Sequence, residues 1–96
     1  MSVMHGTFRT GDVVQHLPTK ERWVVAAVDG KDLYPLGFPL TLASVNDCLM
    51  IKPATENHHR AMLEQIASRS NDSDIRVRIC KRMLEELNQA YIGMFI

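Results

Sequence analysis

The chain predicts an α+β fold: a small five-stranded β-barrel over residues 10–54, followed by a helical hairpin over residues 55–96. Three observations carry this expectation. Short apolar runs are separated by Gly, Pro and Asp turns up to Pro53. From Thr55 the apolar period changes to that of a helix. The break falls at Lys52-Pro53-Ala54-Thr55, where proline ends a strand and threonine offers a helix cap.

Residues 1–9 have no clear period and read as a loose arm. A first strand spans Asp12 to Leu17, and Pro18-Thr19-Lys20-Glu21 has turn chemistry. A second strand spans Arg22 to Val28. Asp29-Gly30 then signals a tight hairpin, because glycine accepts the positive φ that such a turn needs. Asp32-Leu33-Tyr34 is a third strand interrupted by Pro35. Leu40 to Ser44 is a fourth, and Cys48 to Lys52 a fifth. In the second strand, strict alternation puts Trp23, Val25 and Ala27 on one face and Val24, Ala26 and Val28 on the other. Both faces are apolar, so the outer one must be covered by the C-terminal helices or by another protein.

Thr55 is the expected N-cap of a helix from Glu56 to about Arg69, with His59, Met62, Leu63, Ile66 and Ala67 on one stripe. Ser70-Asn71-Asp72-Ser73 breaks it. A second helix runs from Asp74 to about Tyr91. Its apolar residues Ile75, Val77, Ile79, Cys80, Met83, Leu84, Leu87 and Tyr91 spread over roughly 200°, about twice the width needed to dock on one core, with Arg76 interrupting them. The surplus implies contact on two sides. The sequence closes on the apolar run Tyr91-Ile92-Gly93-Met94-Phe95-Ile96.

Ninety-six residues with 46% hydrophobic and 23% charged side chains fit one ordinary folded unit. Eleven basic residues balance eleven acidic ones, five of each sign in residues 1–54 and six of each in residues 55–96. Binding driven mainly by phosphates would call for a basic excess, and DNA mimicry for an acidic one. Cys48 and Cys80 form no C-x-x-C pair, and with no apolar leader near Met1 they read as reduced thiols of a cytosolic protein. No stretch approaches the roughly 18 apolar residues of a membrane span.

No reaction centre emerges from these residues. His58-His59 point about 100° apart on a helix and lack the spacing of a metal pair. The five glycines are scattered singly and build no phosphate loop. No cofactor, metal or catalytic residue is expected, so binding is the expected activity. Tyr34, Pro35, Phe38 and Pro39 place two aromatic-proline bonds in one loop. Such a loop is either a docking point, including one for a host prolyl isomerase, or a rigid loop packing its aromatics on the barrel. The run Tyr91, Ile92, Met94, Phe95 and Ile96 either folds back or lies in a partner's groove. Arg78, Lys81 and Arg82 share the polar side of the second helix. They contact phosphate or an acidic surface, or else form a solvated face in which Lys81 pairs with Glu85 and Arg82 with Glu86.

Gly11-Asp12-Val13-Val14 followed by Trp23-Val24-Val25 resembles the opening of small SH3-like barrel proteins of bacteria and prophages. From Thr10 through Lys52-Pro53 to Arg78-Ile79-Cys80-Lys81-Arg82 the chain is similar to small accessory proteins of temperate phages, the anti-RecBCD proteins of P22-type phages above all. That resemblance implies a cytoplasmic, non-enzymatic protein that binds the host recombination nuclease RecBCD and modulates it. Two other readings stand beside it: a nucleic-acid-binding barrel, and a self-associating structural phage protein.

Overall fold

In the computed structural model the turns at residues 17–20 and 30–31 join antiparallel strands, as the sequence suggests. The structure describes residues 8–37, 42–71 and 73–93, with side chains through residue 89. Its elements are β1 (Val13–His16), β2 (Glu21–Asp29), β3 (Asp32–Pro35), β4 (Ala43–Ser44), β5 (Cys48–Lys52), α1 (Glu56–Ala67) and α2 (Ile75–Gly93), with a 3-10 turn at Val45–Asp47 between β4 and β5. The Asp29-Gly30 hairpin forms as expected, with Asp29 opposite Asp32 and Gly30 at φ +61°. All four strand pairs are antiparallel, in the order β4-β3-β2-β1-β5. The α+β class and the five strands therefore hold. Barrel closure does not: β4 and β5 lie at opposite edges and the sheet stays open.

The expected alternation in β2 also fails, for a specific reason. Val25 faces Pro35 while Ala27 faces Tyr34, so Ala26 is an extra residue that forms a bulge. Proline suits this position because it has no N–H to offer the ladder. Past the bulge the faces exchange. Trp23, Val25 and Val28 pack with Phe8, Val14, Leu33, Ala43, Val45 and Cys48 inside the curved sheet. Val24, Ala26 and Ala27 face the helices instead.

That outer face is covered by the chain's own helices. Met62, Leu63 and Ile66 of α1 and Val77, Ile79 and Cys80 of α2 close a second core over Ala26 and Ala27. Thr55 caps α1 as expected, its hydroxyl accepting from the His58 N–H at 3.1 Å. The wide apolar arc of α2 is used on two sides, by α1 and by β2.

Packing also begins earlier than residue 10, since Phe8 lies in the core and Arg9 is anchored. Its guanidinium donates to the Ala54 carbonyl at 2.7 Å and to Glu56 at 2.8 Å. Between them, Gly11 (φ +96°) lets the chain pass close to α1. A Cβ there would meet Ala54 Cβ at 3.1 Å and His58 Cδ2 at 3.2 Å. Gly11→Ala is expected to cost about 2 kcal/mol, combining left-handed strain with overpacking. Gly30→Ala meets no atom within 4 Å and is expected to cost about 1 kcal/mol. Paired urea melts measure the difference.

Candidate binding surface

The residues expected to meet a partner are distributed very differently by the fold. Pro35 is fully buried, which corrects its expected place on a docking surface. The bulge in β2 and the packing of Val25 opposite it leave the ring no exposed face. Tyr34 is half-buried against the helix-side core. Burial is the main cause raising its hydroxyl pKa, with Asp32 and Asp29 adding to it. The Tyr34–Pro35 bond is trans, as is every described non-terminal bond. Phe38 and Pro39 lie outside the described residues. So do Met94, Phe95 and Ile96, together with the side chains of Tyr91 and Ile92; the α2 backbone itself continues through both.

Arg76 is the largest departure from the sequence reading. Rather than interrupting an apolar face, it is 5% exposed and holds that face in place. Its guanidinium donates to both carboxylate oxygens of Asp74, at 2.7 Å for the shortest contact. It also donates to the carbonyls of Pro35 at 3.1 Å and Leu36 at 2.8 Å. The ion pair holds the Asp74 carboxyl below the usual range and raises the Arg76 pKa. The Asp74 carboxylate also accepts from the Arg76 backbone N–H at 3.0 Å, which satisfies an open amide at the start of α2.

Arg78, Lys81 and Arg82 are exposed on α2. Arg82 pairs with Asp29 at 3.3 Å, across the gap between α2 and the β2 hairpin, instead of with Glu86. Lys81 is also engaged. His59, on the stripe of α1, is buried and donates from Nδ1 to the Thr10 carbonyl at 2.8 Å. Both cysteines are free and buried. Burial pushes Cys80 up to about 11, so its nucleophilic thiolate is scarce at neutral pH. Among the described residues no three His, Cys, Asp or Glu side chains come together as a metal site, and no helix is long and apolar enough to cross a membrane.

What the fold does leave open is the edge at β5. Leu49, Met50 and Ile51 are 39%, 39% and 40% exposed. Successive strand residues point to opposite faces, so both faces of the strand are open to solvent. Beyond its C-terminal end lies a depression of about 310 Å³ lined by Gly11, Val13, Lys52, Pro53, Ala54, Thr55 and His58. Lys52 belongs to both features. Sequence reasoning passed over this surface because Leu49-Met50-Ile51 reads equally as a strand buried on both sides. Only the strand order distinguishes the two.

An open antiparallel sheet backed by two helices, with an apolar edge strand exposed to solvent, defines a small α+β domain. No family model, curated protein or solved structure matches the chain.

Proposed function

We propose that this protein is a non-enzymatic, phage-encoded binding module that docks on a host DNA-processing enzyme and modulates it. The observation that supports docking is the β5 edge, where three consecutive large apolar side chains stand about two-fifths exposed. Proteins ordinarily blunt such an edge, because its unpaired backbone and apolar side chains recruit another chain. The resemblance to anti-RecBCD proteins nominates the RecBCD recombination nuclease as the partner. Nucleic acid is a weaker candidate, since Arg82 is paired with Asp29 and the whole chain is charge-balanced.

The test mixes the purified protein with RecBCD at about 10 μM each and follows co-elution and exonuclease rate. Co-elution with a changed exonuclease rate is expected. Met50→Lys is expected to weaken the complex at least tenfold, while folding stability changes by no more than about 0.5 kcal/mol because the side chain is half in water. Separate elution with an unaltered nuclease overturns the partner assignment.

A further inference from the structure

The β5 edge and the adjoining depression together describe a more specific ligand. We infer that β5 accepts an extended apolar segment of a partner protein as an added strand, and that an acidic group at the end of that segment sits between Lys52 and His58. This inference deepens the docking reading above and rests on it.

The first observation is the pattern of exposure. Leu49 and Met50, opposite Gln15 and Val14, point to opposite faces of the sheet, Ile51 is the extra residue of a bulge before Lys52 meets Val13, and all three are open to a similar degree. A partner resting on one face would cover two of these side chains or one. A strand paired along the edge covers all three and satisfies the outward backbone groups that β5, terminal in the strand order, does not give to β1. Five residues span about 17 Å, which is enough for such pairing.

The second observation is charge. Lys52 and His58 line the depression at the end of β5, and neither has a partner among the described residues. Glu56, two residues before His58 on α1, is taken by Arg9 at 2.8 Å. An apolar strand edge running into two unmatched basic side chains is complementary to an apolar segment that ends in an acid. The Thr55 hydroxyl and the apolar Val13, Pro53 and Ala54 line the same space. A second copy is the competing occupant: pairing β5 with itself about Met50 would set Lys52 opposite Cys48 and Asp47 opposite Pro53, and the experiment separates the two.

The experiment uses two blocked peptides of alternating valine and threonine, one ending in two aspartates and the other in two asparagines. Each is titrated into the full chain and followed through backbone amide shifts. The aspartate peptide is expected to move the amides of residues 49–52 and the ring signals of His58. It should bind about tenfold more tightly than the asparagine peptide, and Lys52→Gln combined with His58→Gln should remove that difference. Equal binding of the two peptides overturns the acidic-end assignment. Absence of shifts along β5 overturns strand addition. Concentration-dependent shifts along β5 without peptide, with a dimer in sedimentation, assign the edge to a second copy and overturn the inference. Peptide binding at β5 without RecBCD capture would retain this site and reject that partner. RecBCD capture that survives Met50→Lys, with no peptide binding, would retain the partner and reject the site.

Discussion

Arg76→Ala is expected to lower the folding free energy by about 4 kcal/mol, and with it the melting temperature by roughly 20 °C. The magnitude follows from what remains after truncation. Asp74 would keep a carboxylate that is 13% exposed and has lost its counter-charge, and the carbonyls of Pro35 and Leu36 would lose a charged donor. Removing one member of a buried pair costs far more than replacing both, because the survivor still has to be desolvated. Asp74→Asn together with Arg76→Met should therefore destabilise less than Arg76→Ala alone, as measured by urea titration of the set. Acid provides an independent check. The folded-state carboxyl of Asp74 is held below its ordinary value, chiefly by the side-chain hydrogen bond from Arg76. Its contribution is thus fully present above the unfolded carboxyl value of about 4 and is lost as pH falls through the folded one. The stability gap between the parent and Arg76→Ala should be widest near neutral pH and narrow below about pH 4. A gap that stays constant down to pH 2 would mean that Arg76 acts by packing alone.

Residues that depend on local periodicity were legible in the sequence. Thr55 caps α1, the stripe His59, Met62, Leu63 and Ile66 is buried, and β5 runs from Cys48 to Lys52 as the flanking proline suggests. The hairpin at Asp29-Gly30 follows from glycine's freedom at positive φ. Residues that depend on contacts distant in the chain were not legible. One extra residue in β2 exchanges the faces of Ala27 and Val28, and nothing in Trp23-Val24-Val25-Ala26-Ala27-Val28 marks which residue is the extra one. Arg76 looks like a break in an apolar face because its acceptors, Pro35 and Leu36, are about forty positions away. The proposed binding surface was equally hidden: an apolar triplet at β5 is core or exposed edge according to whether another strand lies beyond it. The buried polar residues and the sheet edge, which tie the fold to its proposed use, are the parts a linear pattern encodes least.

Asp12→Asn is expected to cost about 2 kcal/mol and Asp12→Ala about 3 kcal/mol, although neither introduces a bulky group. Asp12 is 1% exposed, and its two carboxyl oxygens serve different segments. Oδ1 accepts from the Ala54 N–H at 2.7 Å, and Oδ2 accepts from the Arg9 N–H at 2.8 Å. Its backbone is committed as well, since the Asp12 carbonyl accepts from the Val25 N–H at 2.8 Å. One side chain thus ties the start of β1 to the segment joining β5 and α1. Alanine leaves two buried donors open, each worth roughly 1 to 3 kcal/mol. Asparagine is the sharper test because it preserves volume. Its single oxygen can serve one of the two N–H groups, while its amide nitrogen turns a donor toward the other. If Asp12 only filled space, Asp12→Asn would melt with the parent protein. Hydrogen exchange locates the loss: the amides of Arg9 and Ala54 should lose protection in Asp12→Asn before those of Val25 and Leu63. Ala54 and Gly11 also line the depression beside Lys52 and His58. Loosening Ala54 should therefore weaken binding of the aspartate-ended peptide while leaving the β5 amides responsive to the asparagine-ended one. That outcome would separate the acid-binding end of the surface from its strand-pairing edge.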